Sequence, residues 1–128
     1  MRLDHVTIVA PDCTSLRNFF VDISGLQEGE RPAFGVRGHW LYLEQRPVLH
    51  LIERPDTPGD SERSGDRPSP RIDHLALRVG NAAEWQQLLH RLRQHQMPCR
   101  VSPLGPQSEL QLFVTPAPQV TVEFVMTA

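Results

Sequence analysis

The chain has 128 residues, a formal net charge of −2 and 39% hydrophobic residues. It is long enough for one ordinary domain whose core needs no disulfide or metal staple. That charge, with a pI near 6.3, leaves no electrostatic footprint for nucleic acid or a membrane surface.

The elements follow in chain order. Residues 3–10, LDHVTIVA, alternate as a strand does. The next stretch, DCTSLRNFFVDISGL, predicts a helix with Leu16, Phe19, Phe20 and Ile23 on one face and Gly25 at its C-terminal cap. GHWLYLEQRPVLHLIER then reads as strands. Residues 54–70, RPDTPGDSERSGDRPSP, are rich in Pro, Gly, Ser and charge and read as a surface linker. Fully extended, such a stretch reaches about 55–60 Å, which permits pairing of the two halves within one chain or exchange between two chains.

After the linker the pattern starts again. IDHLALRV at 72–79 repeats the opening LDHVTIVA, with apolar, Asp, His, then an alternating run. In NAAEWQQLLHRLRQHQM, Asn81 and Glu84 form a capping-box signature. Trp85, Leu88, Leu89 and Leu92 then make one apolar stripe, and Pro98 ends the helix. SELQLFVTPAPQVTVEFVM closes the chain with strands whose Val122, Phe124 and Met126 oppose Glu123. The apolar phases are expected beneath the helices, with His and Glu on the other face. The fold class is therefore α+β, with two βαβββ modules at 1–53 and 71–128 joined by the 54–70 linker. The repeat matches His5 with His74, Tyr42 with Phe113 and His50 with Glu123.

His5 and His74 in the first strand of each half, and His50 and Glu123 in the last, are the candidate ligands for one divalent metal ion, Fe, Zn, Ni or Mn. His90 and His95 fall on the solvated side of the second helix. His39 and Tyr42 in the first half, and Phe113 in the second, are candidate substrate contacts. Arg78 shares the phase of His74, so it either holds an anionic substrate group or balances a carboxylate. The absence of Lys fits the codon bias of a GC-rich bacterial genome and excludes a lysine Schiff base or lysine general base. No apolar run approaches the ~20 residues of a membrane span, and the N-terminus lacks a signal-type apolar core. Cys13 and Cys99 sit in unrelated contexts and read as free thiols of a cytoplasmic protein.

Two βαβββ halves, with Asp-His in each first strand and Val-Glu-Phe near the end, resemble the vicinal oxygen chelate superfamily. That group includes glyoxalase I, bleomycin- and fosfomycin-resistance proteins, methylmalonyl-CoA epimerase and extradiol dioxygenases. The resemblance covers the chain outside the linker and implies His5, His74 and Glu123 as metal ligands. His50 stands where the glyoxalase I pattern has Glu and the epimerase pattern has Gln, so it is either a fourth ligand or a pocket residue. TPAPQVTVEF replaces the Asp-Pro-x-Gly turn of many relatives and keeps Glu123 in phase.

The resemblance implies a metal-dependent, glyoxalase-like isomerase or lyase acting on a small metabolite with vicinal oxygens, with Glu123 as proton shuttle. It also implies a homodimer. An Fe(II) extradiol-type dioxygenase and a metal-free drug-binding protein are the alternatives, and the presence of the ligands argues against the second.

Overall fold

The computed structural model describes residues 1–55, 69–102 and 108–128. The expected linker falls mostly at 56–68, outside the described residues. The chain forms two compact units, His5–Asp73 and Met1–Asp4 with His74–Ala128. The fold is α+β, as the alternating strands and helical stripes imply.

In the unit His5–Asp73, β1 (Arg2–Ala10) enters a helical segment made of α1 (Thr14–Asn18) and a π-helical turn (Phe19–Ile23). Three strands follow: β2 (Gln27–Gly29), β3 (Gly38–Leu43) and β4 (Arg46–Glu53). Their order is β2-β3-β4-β1, with β4 and β1 parallel and the other pairs antiparallel. Val6, Ile8 and Ala10 of β1 pack with Leu41, Leu49 and Leu51 against Leu16, Phe20 and Val21. His5, Thr7 and His50 therefore occupy the opposite phase.

The first helix departs from its expected face. The N–H of Ser24 bonds the carbonyl of Phe19 at 3.1 Å, a five-residue step that widens the turn. The widened turn rotates Phe20 and Val21 onto the core and leaves Phe19 49% and Ile23 75% exposed. Gly25 does cap the segment, at φ +78°, where a side chain would be strained.

The other unit repeats the order: β5 (Arg71–Arg78), α2 (Ala82–Gln94), β6 (Cys99–Ser102), β7 (Glu109–Ala117) and β8 (Val120–Thr127). The strands lie β5-β8-β7-β6, with β5 and β8 parallel. Asn81 caps α2, its side-chain oxygen accepting the Glu84 N–H at 3.0 Å, while Glu84 Oε2 accepts the Gly80 N–H at 2.8 Å. Val79, Trp85, Leu88, Leu112, Val114 and Met126 form the core beneath that helix. The facing phases of β5, β7 and β8 carry His74, Gln111, Phe113 and Glu123 on the opposite side. Among the described residues no helix is long and apolar enough to cross a membrane.

Candidate metal centre

The site is built from the strand phases that face away from the helices. Register sets the lateral neighbours. Glu123 lies opposite Ala76 on β5 and Phe113 on β7, and Phe113 lies opposite Arg100 on β6. Cross-strand partners share a face, so Glu123, Phe113 and Arg100 form one row, with His74 one step along from Ala76.

Glu123 is 2% exposed, the most deeply buried charged side chain among the described residues. Its Oε2 lies 3.1 Å from Nε2 of His74, and its Oε1 accepts a hydrogen bond from Nε2 of Gln111 at 2.7 Å. The Phe113 ring meets His74 edge-on at 6.1 Å. His74 and Gln111 offset the burial of this carboxylate, since desolvating an unpaired charge costs several kcal/mol.

Asp4, held by Arg78, precedes His5 in the chain. His74 and Glu123 bring an imidazole and a buried carboxylate together within one unit, and His5 belongs to the unit His5–Asp73. An imidazole and a carboxylate at the 3.1 Å of His74 and Glu123 suit a first-row divalent ion, whose bound donors sit about 2.0–2.2 Å from it. Gln111 gives the carboxylate the outer hydrogen bond that commonly orients a ligand.

His50 lies with His5 in the unit His5–Asp73. Its ring stacks on His5 at 3.8 Å between centroids, 16° from parallel, and on Trp40 at 4.1 Å and 8°. An imidazole binds an ion in its ring plane, and two stacked planes this far apart do not meet at one ion. Nε2 of His50 also lies 3.2 Å from the carbonyl oxygen of Pro47. The stack can hold His5 in place.

The remaining expected site residues separate. The Arg78 guanidinium donates to Oδ1 of Asp4, to Oε1 of Glu109 at 2.7 Å and to the Thr127 hydroxyl. Burial works against its charge, but the two carboxylates prevail and raise its pKa. Arg78 therefore balances carboxylates, the second of the two roles open to it. His39 lies in the phase of Leu41, on the helix-bearing side, where its Nδ1 contacts Oε1 of Glu28. The hydrogen bond from His39, then that from Arg17, holds the Glu28 carboxyl below its usual range. Tyr42 donates its hydroxyl to the carbonyl of Glu30. His90 and His95 are exposed on and just after α2.

Trp40, Gln111 and Arg100 belong to these faces and escaped sequence reasoning. Their only signal is strand register, which alternation alone does not supply. A pocket of about 360 Å³ lined by Pro11, Asp12, Thr14, Arg37 and Glu53 contains none of the expected site residues.

No family model matches the chain and no curated protein does. Solved structures do match. Methylmalonyl-CoA epimerase from Mycobacterium tuberculosis is 24% identical at a TM-score of 0.68, over 99% of this chain and 88% of that one. The Streptomyces coelicolor epimerase, in complex with 2-nitronate-propionyl-CoA, is 17% identical at 0.66 over 100% and 98%. A catechol 2,3-dioxygenase is 12% identical at 0.75, and the chain spans 41% of its length. These are likenesses of fold. The chain has the fold of the vicinal oxygen chelate proteins.

Proposed function

We propose that the protein is a metal-dependent vicinal oxygen chelate enzyme that moves a proton on a small metabolite with neighbouring oxygens, as a glyoxalase-like isomerase or lyase. The observation that carries this reading is the pairing of His74 with the deeply buried Glu123. The near-complete coverage of the epimerases, against less than half of the dioxygenase, supports proton-transfer chemistry. A homodimer is part of the same reading, supported by exposed apolar side chains such as Ile23 and Val101.

A divalent ion held by His5, His74 and Glu123 would supply Lewis acidity toward the vicinal oxygens. The chain's own residues supply the rest. Gln111 fixes one oxygen of Glu123 and leaves the other toward His74. That second oxygen is the atom placed to carry a proton. The Phe113 edge restrains the His74 ring, and the His50–Trp40 stack restrains His5. Both restraints reduce the reorganisation the site must undergo.

Metal analysis of protein purified without added metal tests the reading, with about one divalent ion per chain expected. His74→Ala and Glu123→Ala should lose the ion and His95→Ala should keep it. Equal loss in all three, or no bound ion in the wild type, overturns the proposal. One second reading has an observation behind it: two His and one carboxylate are the donor types of Fe(II) oxygenases. Oxygen uptake with catechols decides between the two.

A further inference from the structure

Arg100 occupies the far end of the row that contains Glu123. On edge strand β6 it lies opposite Phe113, and Phe113 lies opposite Glu123. Its guanidinium rests over the Phe113 ring, 4.6 Å from the centroid, and that same ring meets His74 edge-on at 6.1 Å. Imidazole, ring and guanidinium thus form one continuous floor within a single unit of the fold.

The two arginines on this face differ in their partners. Arg78 is engaged by Asp4 and Glu109. Arg100 is exposed, and among the described residues no carboxylate pairs with it. A guanidinium laid on an aromatic face keeps its in-plane N–H fork available for a planar, bidentate partner. A lone cation on an edge strand also discourages edge-to-edge pairing. That role, however, does not call for contact with the ring that abuts His74.

We infer that Arg100 is a specificity-determining residue: it binds a carboxylate on the substrate, at the end opposite the vicinal oxygens. The inference rests on the proposed function, because it takes Glu123 and His74 as the reacting end. The guanidinium lies over Phe113, whose strand β7 adjoins the β8 strand of Glu123, and adjacent strands are about 4.8 Å apart, a distance that a spacer of two or three carbons bridges. Recognition remote from the reacting atoms is where binding energy can position a small substrate. The substrate class is therefore a short-chain acid with vicinal oxygens at one end and a free carboxylate at the other.

Two probes differ in the distal carboxylate: 2-oxoglutarate, and 2-oxopentanoate with a methyl group in its place. Titration calorimetry of wild type and Arg100→Gln, with and without Mn(II), measures the preference directly. Wild type should bind 2-oxoglutarate about tenfold more tightly than 2-oxopentanoate, the size of one charge-assisted pair. Arg100→Gln should abolish that preference and leave 2-oxopentanoate affinity unchanged. Absence of the preference in wild type, failure of 2-oxoglutarate to bind, or persistence of the preference in Arg100→Gln overturns the inference. The preference in protein that retains no metal would overturn the metal reading and leave Arg100 standing. Metal binding without the preference would do the reverse.

Discussion

The two units use one strand order to carry different chemistry. In one, the row away from the helix reads Gly29, Trp40, His50, Thr7; in the other it reads Arg100, Phe113, Glu123, Ala76. Each position has its counterpart, but an aromatic stack fills the first row and a charged floor the second. Gly29 shows how closely the first row is packed: a Cβ there would lie 2.6 Å from the Tyr42 ring. No side chain such as that of Arg100 fits at that place. The row with the carboxylate presents a buried anionic donor. The row with the stack is equipped to hold a ligand's ring still.

The largest expected difference breaks the comparison at His50 and Glu123. Glu123→Gln removes the anionic donor and should lower metal affinity by at least about 100-fold. His50→Ala removes only a stacking partner and should cost about tenfold or less, the range for groups that orient a ligand. Competition with a fluorescent chelator, alongside circular dichroism to verify folding, measures both. A loss at His50→Ala as large as at Glu123→Gln would make His50 a fourth ligand and restore the glyoxalase I arrangement.

The ion-pair networks differ in the same way. Arg78 joins Asp4 and Glu109 with roughly a fifth of each side chain exposed, whereas Arg17 joins Glu28 nearer the surface. Arg78→Met strands two half-buried carboxylates and should cost about 2–3 kcal/mol. Arg17→Met, in a pair screened by solvent, should cost under about 1 kcal/mol. Urea denaturation gives both values, and equal costs would refute the assigned difference.

The sequence made some of this legible for physical reasons. Asp-His ahead of an alternating run places a His opposite the core phase, and the repeat of that run pointed to His5 and His74 together. Glu123 stood out because Val122 and Phe124 flank it. Asn81 and Glu84 were legible because capping is local. Cross-strand register is not local, and there the reading slipped. Tyr42 was matched with Phe113, but Trp40 is the residue opposite His50, as Phe113 is opposite Glu123. Glu44 and Gln45, both at positive φ, make the tight turn that follows, without the glycine that would have announced it. The π-turn was hidden likewise, since Phe19 and Ile23 satisfy an ordinary helical stripe until the turn widens.

The smallest expected effect concerns the residue that precedes each helix. Asn81 caps α2 with its own side chain, whereas Cys13 precedes α1 and makes no side-chain cap. Neighbours replace that cap: Asp12 accepts the Thr14 N–H at 2.8 Å and Glu53 accepts the Cys13 N–H at 3.2 Å. A helix N-terminus ordinarily lowers a thiol's pKa. Here burial, and then the Glu53 charge, push the Cys13 thiol up from its ordinary 9.0 to about 11. The unfolded chain therefore releases this proton at lower pH than the folded one. The contribution is complete below pH 9 and is lost as pH rises toward 11. Stability measured across that window should fall with pH in wild type, and Cys13→Ala should remove that part of the slope. At pH 8 a disulfide reagent should modify exposed Cys99 promptly and buried Cys13 only on unfolding. Prompt reaction of both thiols would mean that the helix dipole outweighs burial at Cys13, and that the first helix does not need its thiol sealed in the core.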